Sequence, residues 1–313
     1  PDLGVIGNIP PEILARRMFN SLKKIKSLDD DVIAYPGHGA GSLCGKNIMK
    51  GNYCTIGNQK KGNKFLKIEN EEDFVKEMTS SFPALPKYFL RDVKLNLQSE
   101  LSSADEIYDK KCKSLSSKEF NQLQSNPNVL IIDTRKTEDF SLEFIPKSTN
   151  IPLNSSLAVH AGSLYNDEQI VLVTENGMEK ESVIRLARVG LDNIVGFLNG
   201  GIEEYNDKVN HLESIEPNDL EKLISNKKLN VIDVREKLEY EVSHLQISKN
   251  VPLSQLSTLK SALDKSLTYY IHCASGVRSV IASSYLLRDG FKVININKGY
   301  KGLCTTNIKQ VSR

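Results

Sequence analysis

The feature that most constrains this chain is that it repeats itself at a spacing of 100 residues. Val129-Leu130-Ile131-Ile132-Asp133-Thr134-Arg135 returns as Leu229-Asn230-Val231-Ile232-Asp233-Val234-Arg235. Asn150-Ile151-Pro152-Leu153 returns as Asn250-Val251-Pro252-Leu253, and Arg188-Val189-Gly190 as Arg288-Asp289-Gly290. Three landmarks at one offset mark two copies of one supersecondary unit. Each copy reads alike. An opening helix (around 117–125, then 217–226) leads into a short β-branched strand that ends in Asp-x-Arg. A loop, Ile/Val-Pro-Leu and a second helical stretch follow, then an apolar strand (169–174, 268–273) and a long amphipathic helix. Gly190 and Gly290 stand where that helix can close in left-handed backbone, before a last short strand (193–197, 292–296). Strands alternating with helices in this way predict α/β domains with mainly parallel sheets.

The expected organisation places these two domains at 113–206 and 213–313, with polar linkers at 98–111 and 206–216. A segment 1–97 in front of them does not match the repeat. It carries a helix (11–27), then a strand Val32-Ile33-Ala34-Tyr35 that runs into Pro36-Gly37-His38-Gly39-Ala40-Gly41-Ser42, a polar stretch (46–64) and another helix (71–80). One short strand cannot close a sheet, so this segment reads as the back end of a larger domain whose start precedes Pro1. Expressed alone, it is expected to pack poorly or to self-associate, which leaves room for a homo-oligomer.

The length of 313 residues suits two or three domains. A net charge of +2, from 41 basic and 39 acidic residues, offers no electrostatic footprint for nucleic acid or acidic lipid. No run approaches the roughly eighteen apolar residues of a membrane-spanning helix, and no leader is visible. Five cysteines, odd in number and scattered, form no disulfide framework and no zinc ribbon. The expected location is a reducing cytoplasm, where a thiol is free for chemistry. Cys44, Cys112 and Cys304 read as inert.

Cys273 is the thiol with a chemical setting. His272-Cys273-Ala274-Ser275-Gly276-Val277-Arg278-Ser279 lies between a strand and a helix. Successive amides of such a loop, together with the unpaired donors of a helix N-terminus, form an anion cradle. A thiol at its base is favoured as thiolate, the nucleophilic form. Gly276 permits a turn that a Cβ would obstruct. Arg278 brings a permanent forked cation to the rim, and Ser279 can bond within the loop or to a bound anion. These residues, with Asp233-x-Arg235 and Asn250-x-Pro252-Leu253, resemble the rhodanese family of sulfurtransferases over about 213–304. The resemblance implies that Cys273 is the nucleophile that carries a sulfane sulfur as a persulfide and that Arg278 binds the anion. The amides of Ala274, Ser275, Gly276, Val277 and Ser279 would wrap the persulfide. The loop from Cys273 to Arg278 is six residues long. Phosphatase relatives carry a seventh, so the spacing favours sulfur transfer over phosphate hydrolysis. At the corresponding place the first copy has Val173-Thr174-Glu175-Asn176-Gly177-Met178-Glu179-Lys180-Glu181. It lacks a thiol, and its three glutamates would repel an anion, so it reads as an inactive rhodanese-like domain.

The string Tyr35 to Lys46 resembles the closing segment of the persulfide dioxygenase branch of the metallo-β-lactamase fold. Thr55-Ile56-Gly57-Asn58-Gln59, Pro86-Lys87-Tyr88-Phe89 and Pro1-Asp2-Leu3 resemble other marks of the same group. That group includes fusions to two rhodanese domains in the order seen here. The implied fold is the C-terminal part of an αββα metallo-β-lactamase domain followed by two parallel-sheet rhodanese-like domains. The implied role is sulfide and persulfide detoxification, with thiosulfate, low-molecular-weight thiol persulfides and sulfite as donors and acceptors. A non-turnover sulfur-relay module and a rhodanese-fold phosphatase are the alternatives. Of the family's iron or zinc ligands only His38 remains, and one imidazole does not hold a catalytic metal that needs about three protein ligands. The 313-residue chain is therefore expected to carry no metal cofactor and to have no dioxygenase activity. Near-stoichiometric iron in the purified chain, with persulfide-dependent oxygen uptake, would contradict this.

Overall fold

The computed structural model describes residues 9–37, 51–80, 88–98, 102–154, 156–225 and 227–312. His38, Cys44, Pro1-Asp2-Leu3 and Pro86-Lys87, all singled out in the sequence, lie outside them. The chain divides into two compact units, 1–85 and 86–313.

In the first unit, the helix Pro11–Lys26 packs on the helix Glu71–Thr79. Ala15 and Phe19 meet Phe74 and Val75, with the Phe19 and Phe74 rings 5.3 Å apart. The expected strand near Ile33 is present as β1 (Ile33–Ala34), antiparallel to β2 (Cys54–Thr55). Thr55 then caps the helix Ile56–Gly62 by accepting from the Asn58 amide at 3.2 Å. Ile33, Tyr35 and Tyr53 stay exposed.

The second unit holds two five-stranded sheets, each entirely parallel among its own strands. In the first repeat β3 (Lys113–Leu115), β4 (Val129–Asp133), β5 (Ser148–Asn150), β6 (Gln169–Val173) and β7 (Ile194–Leu198) lie in the order β3-β7-β6-β4-β5. In the second, β8 (Ser214–Ile215), β9 (Asn230–Asp233), β11 (Ser248–Asn250), β12 (Thr268–His272) and β13 (Lys292–Ile296) take the matching order β11-β9-β12-β13-β8. A separate antiparallel pair joins β10 (Ser243–Leu245) to β14 (Gln310–Ser312). β4 and β6 read as near-continuous runs of Val, Ile and Leu because helices cover both faces of the sheet.

Two expected linkers contain structure. Residues 104–111 form a helix, and Ser103 and Glu106 cap it reciprocally. Ser214 and Ile215, inside the second linker, are the edge strand β8. The helix Phe89–Asn96 belongs to the second unit, where Arg91 donates to the carbonyls of Val189 and Tyr165 at 2.5 and 3.4 Å.

The repeats share one hydrophobic core, which runs from Leu130 and Leu172 of the first to Ile271 and Leu286 of the second. The long helix Val277–Arg288 lies along edge strand β5, and the Asn150 amide there donates to Ser284 Oγ at 3.0 Å. Tyr165 and Tyr285 meet edge to face at 5.7 Å across the same seam.

Each Asp-x-Arg is a buried ion pair with the same geometry. Arg135 Nη2 reaches Asp133 at 2.7 Å and the Glu143 carbonyl at 2.8 Å. Arg235 Nη2 reaches Asp233 at 2.6 Å and the Ser243 carbonyl at 2.8 Å. Asn150 and Asn250 each donate to the two carbonyls of their own Asp and Arg, at 2.9–3.1 Å. The second landmark of the repeat thus secures the loop that follows the first. Removing one partner of such a pair strands a charge inside the protein. We expect Arg135→Met to lower stability by about 3–5 kcal/mol. Urea unfolding measures this, and an unshifted midpoint would show that Asp133 does not need its partner.

Candidate active-site loop

β12 ends beside β9 with His272 in register with Asp233, and Cys273 follows directly. The helix Val277–Arg288 begins after Gly276, whose φ of +124° lies where a side chain is strained. Cys273 is 1% exposed. Its Sγ accepts a hydrogen bond from the Gly276 amide at 3.1 Å. The first amides of that helix lack an acceptor one turn back, so the sulfur sits at the positive end of a twelve-residue helix. Ser279 Oγ donates to the Gly276 carbonyl at 2.8 Å, which commits it to holding the turn. Ser275 is exposed, while Ala274 and Val277 are half-buried at the mouth.

A buttress that the motif does not reveal supports the loop. The amides of Tyr300 and Lys301 donate to the carbonyls of Cys273 and Ala274 at 2.6 and 3.1 Å. The Tyr300 ring carries the Arg235 guanidinium at 3.9 Å, and its hydroxyl bonds Ser243. Gly299 takes φ +56°, and a Cβ there would meet the Cys273 carbonyl oxygen at 2.5 Å. The signal available in the sequence is the parallel between Asn297-Lys298-Gly299 and Asn199-Gly200-Gly201, both left-handed at their last two residues. His272 is fully buried; its Nδ1 lies 3.4 Å from the Cys273 carbonyl oxygen, while Nε2, 3.8 Å from Asp233 Oδ2, has no hydrogen-bond partner. Burial pushes its pKa down despite Asp233, so it serves as a neutral packing group beneath the loop.

Arg278 is at the rim as expected, but its fork is engaged. Nη1 and Nη2 donate to Oε2 and Oε1 of Glu239 at 2.6 and 2.8 Å. Glu239 stands on the helix Lys237–Val242, and its carboxyl is held below the usual range chiefly by the Arg278 hydrogen bond. The motif reading missed it. Its one sequence signal is its place three residues after Glu236, whose amide it caps at 3.0 Å. His160, on the helix Leu157–Leu164 of the first repeat, lies within the field of Arg278. Burial, and then that charge, push it down to about 4, so its imidazole is neutral at pH 7.

The first repeat corrects the uniform offset. Val173 is in register with Asp133 as His272 is with Asp233, so Thr174 occupies the place of Cys273 and the spacing here is 99. Its Oγ1 is buried without a partner. Glu179 replaces Arg278 and accepts from the Gly177 amide at 3.0 Å, so a carboxylate fills the cradle from within. Among the other thiols, burial pushes Cys112 up to about 11, which keeps it protonated, and Cys304 is exposed.

Among the described residues, no group of three His, Cys, Asp or Glu side chains is arranged to hold a metal. No described helix is long and apolar enough to cross a membrane.

The chain is similar to several known proteins over parts of its length. The chain is 36% identical over 76 residues to the uncharacterized protein YqhL of Bacillus subtilis strain 168, covering 24% of this chain and 60% of that one. It is 37% identical over 70 residues to a tRNA sulfurtransferase of Vibrio vulnificus strain YJ016, covering 21% and 14%. A crystal structure titled metallo-beta-lactamase, from Staphylococcus aureus COL, matches with a TM-score of 0.50 and 28% identity, over 60% of this chain and 50% of that one. The chain thus spans less than two thirds of each of these proteins. The α/β class with parallel sheets and a metallo-β-lactamase neighbour is borne out. The family model described as Rhodanese-like domain matches 116–208 and 216–306, one match on each sheet. With more than half of its residues inside those two matches, the chain belongs to the rhodanese-like domain family.

Proposed function

We propose that this chain is a sulfurtransferase that moves a sulfane sulfur through a persulfide on Cys273. One observation carries the reading. Cys273 Sγ sits at the head of a parallel strand, accepts the Gly276 amide at 3.1 Å and faces the N-terminus of the helix Val277–Arg288. The other repeat keeps the same frame without a thiol. Helix-end amides favour the thiolate and stabilise the negative sulfur one bond further out. With thiosulfate as donor, the thiolate attacks the outer sulfur and a Cys273 Sγ–S bond forms. The donor S–S bond breaks, and its electron pair leaves on sulfite. In the second step a nucleophilic acceptor such as cyanide, sulfite or a thiolate bonds to the outer sulfur. The pair of the Sγ–S bond then returns to Cys273.

We further read this chemistry as one half of a persulfide dioxygenase–rhodanese protein of sulfide detoxification in the cytoplasm, with thiol persulfides as physiological donors. Support comes from the motifs around Tyr35 and Thr55 and from the likeness to the metallo-beta-lactamase structure. His38 stands at a metal-binding position of that family, in a site that this sequence alone does not complete.

The reading is tested by thiosulfate:cyanide sulfurtransferase assays and intact mass after thiosulfate treatment, on the wild type and on Cys273→Ser. Thiocyanate production and a mass gain of one sulfur atom are expected in the wild type. Both should be lost in the variant, with activity down by at least about a thousandfold, as for loss of a covalent nucleophile. A stable adduct without turnover would mean a sulfur-relay module instead. Sulfur transfer that persists in Cys273→Ser would overturn the assignment.

A further inference from the structure

We propose that Glu239 is a positioning residue that sets how strongly Arg278 acts on Cys273 and on incoming anions. This rests on the sulfur-transfer reading and adds to it a residue outside the loop.

Three observations lead there. Both terminal nitrogens of Arg278 are spent on Glu239, so the forked face suited to an oxyanion is already filled by a carboxylate. The pair is partly shielded, with side chains 22% and 38% exposed, so its charges are not simply screened away. Glu239 is itself held, because its Oε2 also accepts the Glu236 amide at 3.0 Å, and that tie fixes the carboxylate at the helix start. A second cation, Arg235, also lies within the field of Glu239, but its guanidinium is committed to the buried Asp233. Glu236 lies within the field of Arg278, as does the Cys273 sulfur, and His160 is neutral at pH 7. One guanidinium therefore faces a bound carboxylate, a second carboxylate and the sulfur.

Two consequences follow from elementary electrostatics. Glu239 cancels part of the field with which Arg278 favours the thiolate, so the sulfur is less reactive than the loop alone would make it. It also competes with any anionic donor for the same donors, most strongly with a dianion such as thiosulfate. Glu239 thereby keeps Arg278 in place while restraining its pull on the dianion.

The experiment compares Glu239→Gln and Glu239→Asp with the wild type. Gln keeps the size, and its amide oxygen in the place of Oε2 keeps the bonds from Arg278 Nη1 and the Glu236 amide, but it removes the charge and the acceptor for Nη2. Asp keeps the charge. The first readout is the rate at which Cys273 is alkylated by iodoacetamide at pH 7, followed by peptide mass. It needs no sulfur transfer, so it stands even if the enzymatic reading fails. The second is the split between KM and kcat for thiosulfate with cyanide as acceptor. For Glu239→Gln, alkylation should quicken by about fivefold and the thiosulfate KM fall by about the same factor, as for loss of one partly exposed charge. Changes in kcat should be smaller. Glu239→Asp should stay near the wild type in both. A slower alkylation or a raised KM in Glu239→Gln would mean that Glu239 assists Arg278 rather than restrains it. Equal effects of Gln and Asp would reduce Glu239 to packing. No effect of either would show that the pair has no bearing on the sulfur. Each of these three results overturns the proposal.

Discussion

Everything around the sulfur rests on the buried pair Asp233–Arg235. A carboxylate with no exposed surface must be matched, and Arg235 matches it through two nitrogens while also bonding the Ser243 carbonyl. The guanidinium is then fixed closely enough to serve as a floor for the Tyr300 ring. Tyr300 in turn presents its amide to the Cys273 carbonyl. The position of the sulfur is thus set by a chain of contacts that begins on the neighbouring strand, at the buried Asp233. Asn250 completes the base by tying the carbonyls on either side of Val234.

The first repeat shows which parts of that apparatus belong to folding and which to chemistry. The ion pair, the Asn clamp, the strand order and the two left-handed residues at the start of the last short helix all recur there. The thiol, the rim arginine and the open cradle do not, and Glu179 closes the gap with its own carboxylate. Frame and chemistry are separable, because the frame is satisfied by bonds internal to the sheet, while the chemistry depends on a few side chains at one strand end. The first repeat still borders the cysteine loop of the second, because His160 lies within the field of Arg278.

Much of this was legible in the sequence, for physical reasons. β4, β6, β9 and β12 are buried on both faces, so their apolar runs stand out. The cysteine loop was recognisable because a short strand-to-helix turn needs its glycine and its charge at close spacing. The edge strands Lys113–Leu115 and Ser214–Ile215 were not, since strands so short and partly exposed carry no alternation to read. The helix of residues 104–111 falls inside an expected linker because its polar surface masks it, although Ser103 and Glu106 announce its start. Glu239 and Tyr300 were out of reach for another reason. Their roles come from packing between elements far apart in the chain, and nothing in their local sequence encodes a partner 39 or 27 residues away. The slip of the repeat from 100 to 99 was equally hidden, because landmarks on either side of the loop keep the longer spacing.

The bond from the Asn150 amide to Ser284 Oγ reaches beyond its own energy. β5 ends its sheet, and the outer row of a terminal strand is where foreign chains add themselves. A serine on the neighbouring helix occupies that row with a group that offers no strand in return. The second repeat therefore covers part of the open row of the first. A proteolytic cut between the two would leave a fragment with a sticky rim and half of a shared core. The two repeats are thus joined by a common interior as well as by the chain that links them.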